Sequence, residues 1–545
     1  MKLNSITLKN FKSIGAEPQT IDLAPITLLF GPNSAGKSTV LQSLLFLHEV
    51  LEKGNLNPDK TELGGEVVDL GGFINLLNNK NELAEMEIGL NIGEFGEFHD
   101  FLSSETDADF AEFGLNGYPD WWMDNVENID INFTFAWSAG GPVAKYLGVK
   151  FNGEKIGKIG STDDGKQVIV EELNLDHKIF SEARYKDNDN EFEDYFRDVA
   201  DATRYQDWHT QDKRSKAKAL TVANQEGAIP NLQRSLAIDL DSWLDVGEHK
   251  TFYDGKEIFL KRALITSVLS MIFVDPLSIL KDFLNNLTYI GPLRDLPPRS
   301  WQSQLSPDKS RWAKGIAAWE VLTSVEDNTV EDLNVWLGEK HFNTGYELNV
   351  KKYREVEEGA FIDNFVQYGL MGYEIEEVRE KLKTEFDQLS KKVQVSLIET
   401  FSNIEVKPQD IGVGISQLLP VLVAASYKNG LIAVEQPELH LHPKVQVELG
   451  DFFIEQATKK NTLFLIETHS EHLLLRVLRR IRENYSENHE GKAEFTLSLD
   501  QISVVYVERK ESGAHYSNQI VTEQGDFDND WPDGFFEERD DELYI

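Results

Sequence analysis

Gly31-Pro-Asn-Ser-Ala-Gly-Lys-Ser-Thr39 is the stretch that decides the fold. Two glycines five positions apart, followed by Lys-Ser-Thr, make the G-x-x-x-x-G-K-[ST] pattern, in which main-chain N–H groups turn toward phosphate oxygens. The cradle is expected from Asn33, Ser34, Ala35, Gly36 and Thr39, with Lys37 adding positive charge at the terminal phosphates of ATP. The Ser38 hydroxyl suits Mg2+. The flanks give the pattern its weight: Ile26 to Phe30 predicts a buried strand before it. Val40, Leu41, Leu44, Leu45, Leu47 and Val50 predict a helix after it, with a polar stripe at Gln42, Ser43 and His48.

Working outward, Gly430-Leu-Ile-Ala-Val-Glu-Gln-Pro-Glu438 reads as a second buried strand that delivers Glu435 to the metal. Leu439-His-Leu-His-Pro443 then starts a helix, and zinc binding by His440 and His442 is disfavoured because no further ligand cluster is near. Leu463-Phe-Leu-Ile-Glu-Thr-His-Ser470 is a third strand, placing His469 at the carboxyl edge of the sheet, where it can sense the γ-phosphate. Asp410-Ile-Gly-Val-Gly-Ile-Ser-Gln417 precedes the apolar helix Leu418 to Ala425. Ser416 is expected as its N-cap, and Gly414, Ser416 and Gln417 as a second anion site. Two phosphate sites on one chain invite a head-to-tail dimer, each ATP held by the loop of one copy and the helix start of the other.

A chain of 545 residues predicts two to four units. The expected division is 1–95, the N-terminal part of the ATPase lobe; 96–255, an inserted, mostly β lobe; 256–400, a helical arm; 401–510, the C-terminal part of that lobe; and 511–545, an acidic tail. Strands are expected at Leu3 to Leu8, Gln19 to Leu23, Met86 to Ile92, Ile129 to Phe135 and Val168 to Val170. One long amphipathic helix is expected from Tyr373 to Ile398. Prolines in Tyr289-Ile-Gly-Pro-Leu-Arg-Asp-Leu-Pro-Pro-Arg299 predict a stiff loop presenting Arg294 and Arg299, which phosphate contact and structural ion pairing explain equally well. An acidic stretch, Asp187 to Asp201, precedes a small basic cluster at Lys213, Arg214, Lys216 and Lys218, read as a solvated face before a nucleic-acid patch.

The net charge of −39 disfavours extensive direct contact with nucleic-acid phosphates. The absence of cysteine excludes disulfide scaffolds, thiolate zinc sites and cysteine nucleophiles. No secretory signal opens the chain, and Leu264 to Val274 is too short to span a bilayer, so a soluble cytoplasmic protein with no membrane partner is expected.

The order of phosphate loop, signature helix, acidic strand and switch histidine, with Phe11-Lys-Ser-Ile14, resembles ABC-type ATPases of the SMC, RecF and OLD group. That resemblance implies an α/β ATPase head, a mixed sheet flanked by helices with a large α+β insertion. Glu435-Gln-Pro-Glu-Leu-His-Leu-His-Pro443, Gly291-Pro-Leu-Arg294 and Trp531-Pro-Asp-Gly-Phe-Phe536 look like the Septu anti-phage ATPase subunits of the PtuA type, including retron-linked ones. It implies an ATP-gated oligomer that restrains a separate HNH nuclease of the PtuB type, joined in retron versions by a reverse transcriptase and its DNA–RNA hybrid.

Two departures from the SMC pattern matter. Gln436 stands where a water-activating glutamate is usual, so hydrolysis is expected to be slow, Gln436 orienting water while Glu438 supplies a carboxylate. The signature reads Gly-Val-Gly-Ile-Ser-Gln rather than holding a Ser-Gly-Gly core. The competing function is a DNA-repair ATPase binding duplex directly, which charge and the lack of long paired coiled coils disfavour. A self-contained nuclease is disfavoured because about 75 residues follow His469.

Overall fold

The computed structural model describes residues 1–96, 125–174, 220–238, 265–299, 308–356, 375–460, 462–486 and 495–528, with isolated positions between them. The acidic stretch 187–201, the basic cluster at 213–218 and residues 532–545 lie outside the described residues.

Three sheets organise the chain. The first begins with β1 (Lys2–Lys9) and β2 (Gln19–Asp22), then continues through β4 (Met86–Gly93), β5 (Asn128–Ser138), β6 (Gly141–Phe151), β7 (Glu154–Ser161), β8 (Val168–Leu173) and β9 (Thr221–Val222). Its order is β2-β1-β4-β5-β6-β7-β8-β9, antiparallel throughout. Residues expected as a separate insertion from 96 onward thus extend the N-terminal sheet: β5 pairs with β4 along its whole length, so no boundary falls there.

The second sheet is mixed. Its order is β10 (Thr288–Ile290), β14 (Leu431–Glu435), β15 (Leu463–Glu467), β3 (Ile26–Phe30), β16 (Ile502–Lys510) and β17 (Gly513–Gln519). All neighbours run parallel except β16 and β17. Helix α1 (Ser38–Lys53) lies between the two sheets: Val40, Leu44 and Leu47 share one core with Ile6 and Phe135 of the first sheet and Leu29 and Val505 of the second. Burial from both sides removes the expected polar stripe. Ser43 and His48 are inside, where Ser43 bonds the Val40 carbonyl and His48 meets Asn285.

The other face of the second sheet carries Ile26, Leu28 and Phe30 against α7 (Val413–Tyr427), α8 (Pro443–Lys460) and α9 (Glu471–Tyr485). Parallel strands covered on both faces must be apolar along their length, and β3 is buried at all five positions. The sequence-based expectation of an α/β head with a mixed sheet flanked by helices holds.

Between β10 and α7 the expected helical arm is mixed. It contains α4 (Ile316–Val321), α5 (Asp327–Leu337), α6 (Ile375–Gln388) and a third sheet of β11 (Tyr346–Tyr353), β12 (Lys392–Glu399) and β13 (Ile404–Val406), after α2 (Phe73–Leu76) and α3 (Asp275–Asn285) earlier in the chain. The single helix expected over 373–398 therefore ends at Gln388. Val393, Val395 and Leu397 alternate at period two and pair with Lys352, Val350 and Leu348 of β11, and pairing wins over the helical spacing. Trp531 packs edge-on against Phe30 and Tyr506 and touches Phe527, closing the chain's own core. No helix among the described residues is long and apolar enough to cross a membrane.

Candidate functional site

Strand β3 ends at Phe30, and the chain turns through a loop that only glycine can make. Gly31 has φ +140°, and a Cβ there would collide with the Val507 carbonyl; Gly36 has φ +117°, and a Cβ would collide with Ser13. Ser34 also lies in the left-handed region, at φ +62°. Pro32, Asn33 and Ser34 are exposed, Ala35 and Lys37 are buried. The loop is braced from behind, since Tyr516 of β17 donates its hydroxyl to the Gly36 carbonyl at 2.6 Å. The Thr39 hydroxyl faces Ser13 at 2.7 Å, so its side chain is committed to the loop's own frame.

Lys37 is 3% exposed. Its ammonium donates to the carbonyls of Gly31 at 3.0 Å and Pro32 at 2.9 Å and lies 3.9 Å from Glu467. Burial pushes its pKa down, against the pull of Glu467, Glu438 and Glu435. Ser38 donates its hydroxyl to Glu467 Oε2 at 2.6 Å.

Glu467 is the residue that sequence reasoning missed, though Leu463 to Ser470 had been singled out for His469. It is the register partner of Glu435 across the parallel pair β14 and β15, so both carboxylates reach the same sheet edge. Tyr289, at the centre of β10, donates its hydroxyl to Glu435 Oε1 at 2.8 Å. Burial first, and then the charge of Glu467, push Glu435 up to about 7. Burial also raises Glu467, opposed by the Ser38 bond and Lys37. Two carboxylates repelling across 4.8 Å or so of strand spacing, beside a serine hydroxyl, form an all-oxygen donor set that fits Mg2+. Among the described residues no three His, Cys, Asp or Glu side chains form an all-protein cage.

The turn after β14 brings in the remaining residues. Gln436 has φ +44°, and its N–H donates to the Glu467 carbonyl at 2.7 Å. Glu438 returns to the sheet edge, where it accepts the His469 N–H at 2.7 Å on Oε1; its Oε2 is buried without a hydrogen-bond partner, and burial raises its pKa. The His469 Nε2 is likewise buried without a partner, and burial and then Lys37 push the ring down to about 4, so it is neutral at pH 7. His440 and His442 are exposed, and His442 Nδ1 accepts the Lys444 N–H at the start of α8, a local turn contact rather than a metal site.

The signature segment corrects one expectation. Helix α7 begins at Val413 with Gly412 as N-cap and no side-chain cap; Ser416 sits inside the first turn and donates to the Val413 carbonyl at 2.8 Å. The helix thus starts about a turn earlier than expected, and at Gly414 the chain lies so close to the loop after β14 that a Cβ would be 2.9 Å from the His440 carbonyl. Gln417 is buried and bonded to the main chain of Arg294. Arg294 is itself 3% exposed, offers nothing to a phosphate and bonds main-chain carbonyls instead of the expected acidic partner, while the exposed Arg299 does form an ion pair, with Asp410. The structure thus brings together Lys37, Ser38, Glu435, Gln436, Glu438 and His469, and leaves Gly414, Ser416 and Gln417 on a separate helix start.

The model of the AAA ATPase domain family matches residues 1–242 and 327–474. A model described as a protein of unknown function (DUF3696) matches residues 497–544. No curated protein matches the sequence. Solved structures with some likeness include the SMC head bound to the C-winged helix domain of ScpA, at 10% identity, TM-score 0.36, covering 95% of this chain and 97% of that one. The SMC head domain from Thermotoga maritima shows 9% identity and TM-score 0.36, covering 95% and 99%. The Smc head with an extended coiled coil bound to the C-terminal domain of ScpA, derived from Pyrococcus furiosus, shows 11% identity and TM-score 0.36, covering 95% and 96%.

Proposed function

Since this chain belongs to the AAA ATPase domain family, we propose that it binds ATP with Mg2+ at the sheet edge described above, hydrolyses it slowly, and uses the bound state to control a separate nuclease. One observation carries the nucleotide reading: Lys37, Ser38, Glu435 and Glu467 converge from the ends of two adjacent parallel strands and from one helix start. On binding, the Lys37 ammonium leaves the Gly31 and Pro32 carbonyls for the terminal phosphates, and the amides of residues 33–39 cradle them. Ser38, Glu467 and Glu435 hold Mg2+, which neutralises charge on the phosphate oxygens.

Gln436 orients the attacking water, and the partnerless oxygen of Glu438 takes its proton. His469, neutral, donates Nε2–H toward the γ-phosphate. The partly exposed start of α7 at Gly414 serves the ATP of a second copy, in a head-to-tail dimer or larger oligomer, while Ser416 and Gln417 are buried behind it and shape that helix start without touching the nucleotide.

The cytoplasmic defence role, with a PtuB-like HNH nuclease as partner and in retron versions a reverse transcriptase with its DNA–RNA hybrid, is supported by the resemblance at 291–294, 435–443 and 531–536. A net charge of −39 suits a basic partner protein better than DNA. The test is affinity purification of the native protein with and without ATP. Recovery of an HNH nuclease whose retention depends on nucleotide is expected; recovery of no partner in either condition would refute the regulatory role.

A further inference from the structure

Arg294 is buried, yet among the described residues it forms no ion pair. Its guanidinium donates instead to main-chain carbonyls on two different elements: Gln417 of α7 at 3.3 Å, and Glu435 and Gln436 at the end of β14 at 2.7 and 3.5 Å. The main chain of Arg294 is gripped in turn by the Gln417 side chain, which accepts the Arg294 N–H at 3.0 Å and donates to the Arg294 carbonyl at 2.7 Å. The two residues therefore clasp each other by three hydrogen bonds, and the free end of the clasp holds the turn that aims Gln436 and Glu438.

We propose that Arg294 is a positioning residue that ties the first turn of α7 to the left-handed turn at Gln436, so that a displacement of α7 is passed to the water-handling side chains. The geometry leaves little slack. Gln436 sits at φ +44°, a conformation side chains resist, and three bonds hold its main chain: its N–H on the Glu467 carbonyl and, on its own carbonyl, the Leu439 N–H at 3.2 Å and the guanidinium at 3.5 Å. Gly414, one turn before Gln417, packs against the carbonyl of His440, closing the other end of the same loop onto α7. One end of residues 435–440 is thus hydrogen-bonded to α7 through Arg294, and the other lies close against that helix at Gly414. A planar guanidinium reaches three carbonyls at once, which a lysine ammonium on a flexible stem does not reproduce.

This inference rests on the proposed ATPase reading for its catalytic consequence, but the tie itself is independent of nucleotide. Arg294→Lys and Gln417→Ala should each be made in the full chain and examined by hydrogen exchange, MgATP affinity and turnover. Faster exchange confined to residues 434–440, affinity within about twofold of wild type and turnover lower by about tenfold or more are expected. The double variant should lose little beyond the larger single effect, because the two residues form one unit.

Unchanged exchange at 434–440 in both single variants overturns the tie, and additive losses of turnover overturn the shared path. If Arg294→Lys exchanges faster everywhere, it has failed to fold and Gln417→Ala decides on the same criteria. If the wild type binds no MgATP, the ATPase reading fails, and local exchange alone decides the tie.

Discussion

Replacing Glu435 with Gln should stabilise the nucleotide-free protein, and only above acidic pH. The folded carboxyl is pushed from 4.5 up to about 7 by burial and by Glu467. Below pH 4.5 the folded and unfolded chains both carry the proton, and the group contributes nothing. Between 4.5 and 7 the unfolded chain releases its proton while the folded one keeps it, so folding is penalised by about 1.4 kcal/mol for each pH unit. Above 7 both are ionised and the full penalty stands, about 3 kcal/mol. Glutamine carries no such charge, and its carbonyl still accepts the Tyr289 hydroxyl. Thermal unfolding in EDTA, without nucleotide, should give matching midpoints for wild type and Glu435→Gln near pH 4.5, and a variant higher by about 3 °C at pH 8, at about 1 °C per kcal/mol for a chain of 545 residues. Curves that stay parallel from pH 4.5 to 8 would refute the claim that this carboxylate is held at a cost until a cation arrives.

Lys37→Ala should weaken MgATP binding about 100-fold or more, roughly 3 kcal/mol by calorimetry; unchanged affinity would remove the phosphate loop from the scheme. Glu467→Gln keeps an acceptor for Ser38 but loses the charge, so the Mg2+ concentration for half-maximal nucleotide binding should rise about tenfold. In Glu438→Gln, nucleotide should bind while single-turnover hydrolysis slows about 10²- to 10⁴-fold, and normal hydrolysis would rule out this carboxylate as the base. Trp531→Ala removes a ring packed on Phe30 and Tyr506 and should cost about 2 kcal/mol in denaturant unfolding, below the cost of a fully buried tryptophan because the ring is only partly covered.

The strands and the phosphate loop were legible because their information is local. Buried parallel strands must be apolar, and glycine is required where the backbone takes a positive φ, so β3, β14 and β15 could be read directly. Strands β6 and β7 were not read, although Asn152-Gly153 between them is a two-residue turn with both φ angles positive, +51° and +79°, the strongest short-range sign of a hairpin. Glu467 was passed over in favour of His469, yet the signal was present: like Glu435, it closes a five-residue apolar strand at the same sheet edge. Helix α6 and strand β12 were merged because leucine and valine every three or four positions satisfy both periods over a short window. The clasp between Arg294 and Gln417 lies beyond any such reading, since it joins residues on a loop and a helix that only the fold brings together.

Strand β3, made among the first thirty residues, pairs only with β15 and β16, which begin at Leu463 and Ile502. On the ribosome the nucleotide cradle therefore lacks its two flanking strands until β15 and β16 have emerged, roughly 25 to 95 s later at usual elongation rates. Through that interval Ile26-Thr-Leu-Leu-Phe30 is an orphan hydrophobic segment that must be shielded from other nascent chains. A polypeptide that stops short of Leu463 would lack both neighbours of β3, and Glu467 and His469 with them, leaving the phosphate loop without the carboxylate that faces Lys37 and Ser38.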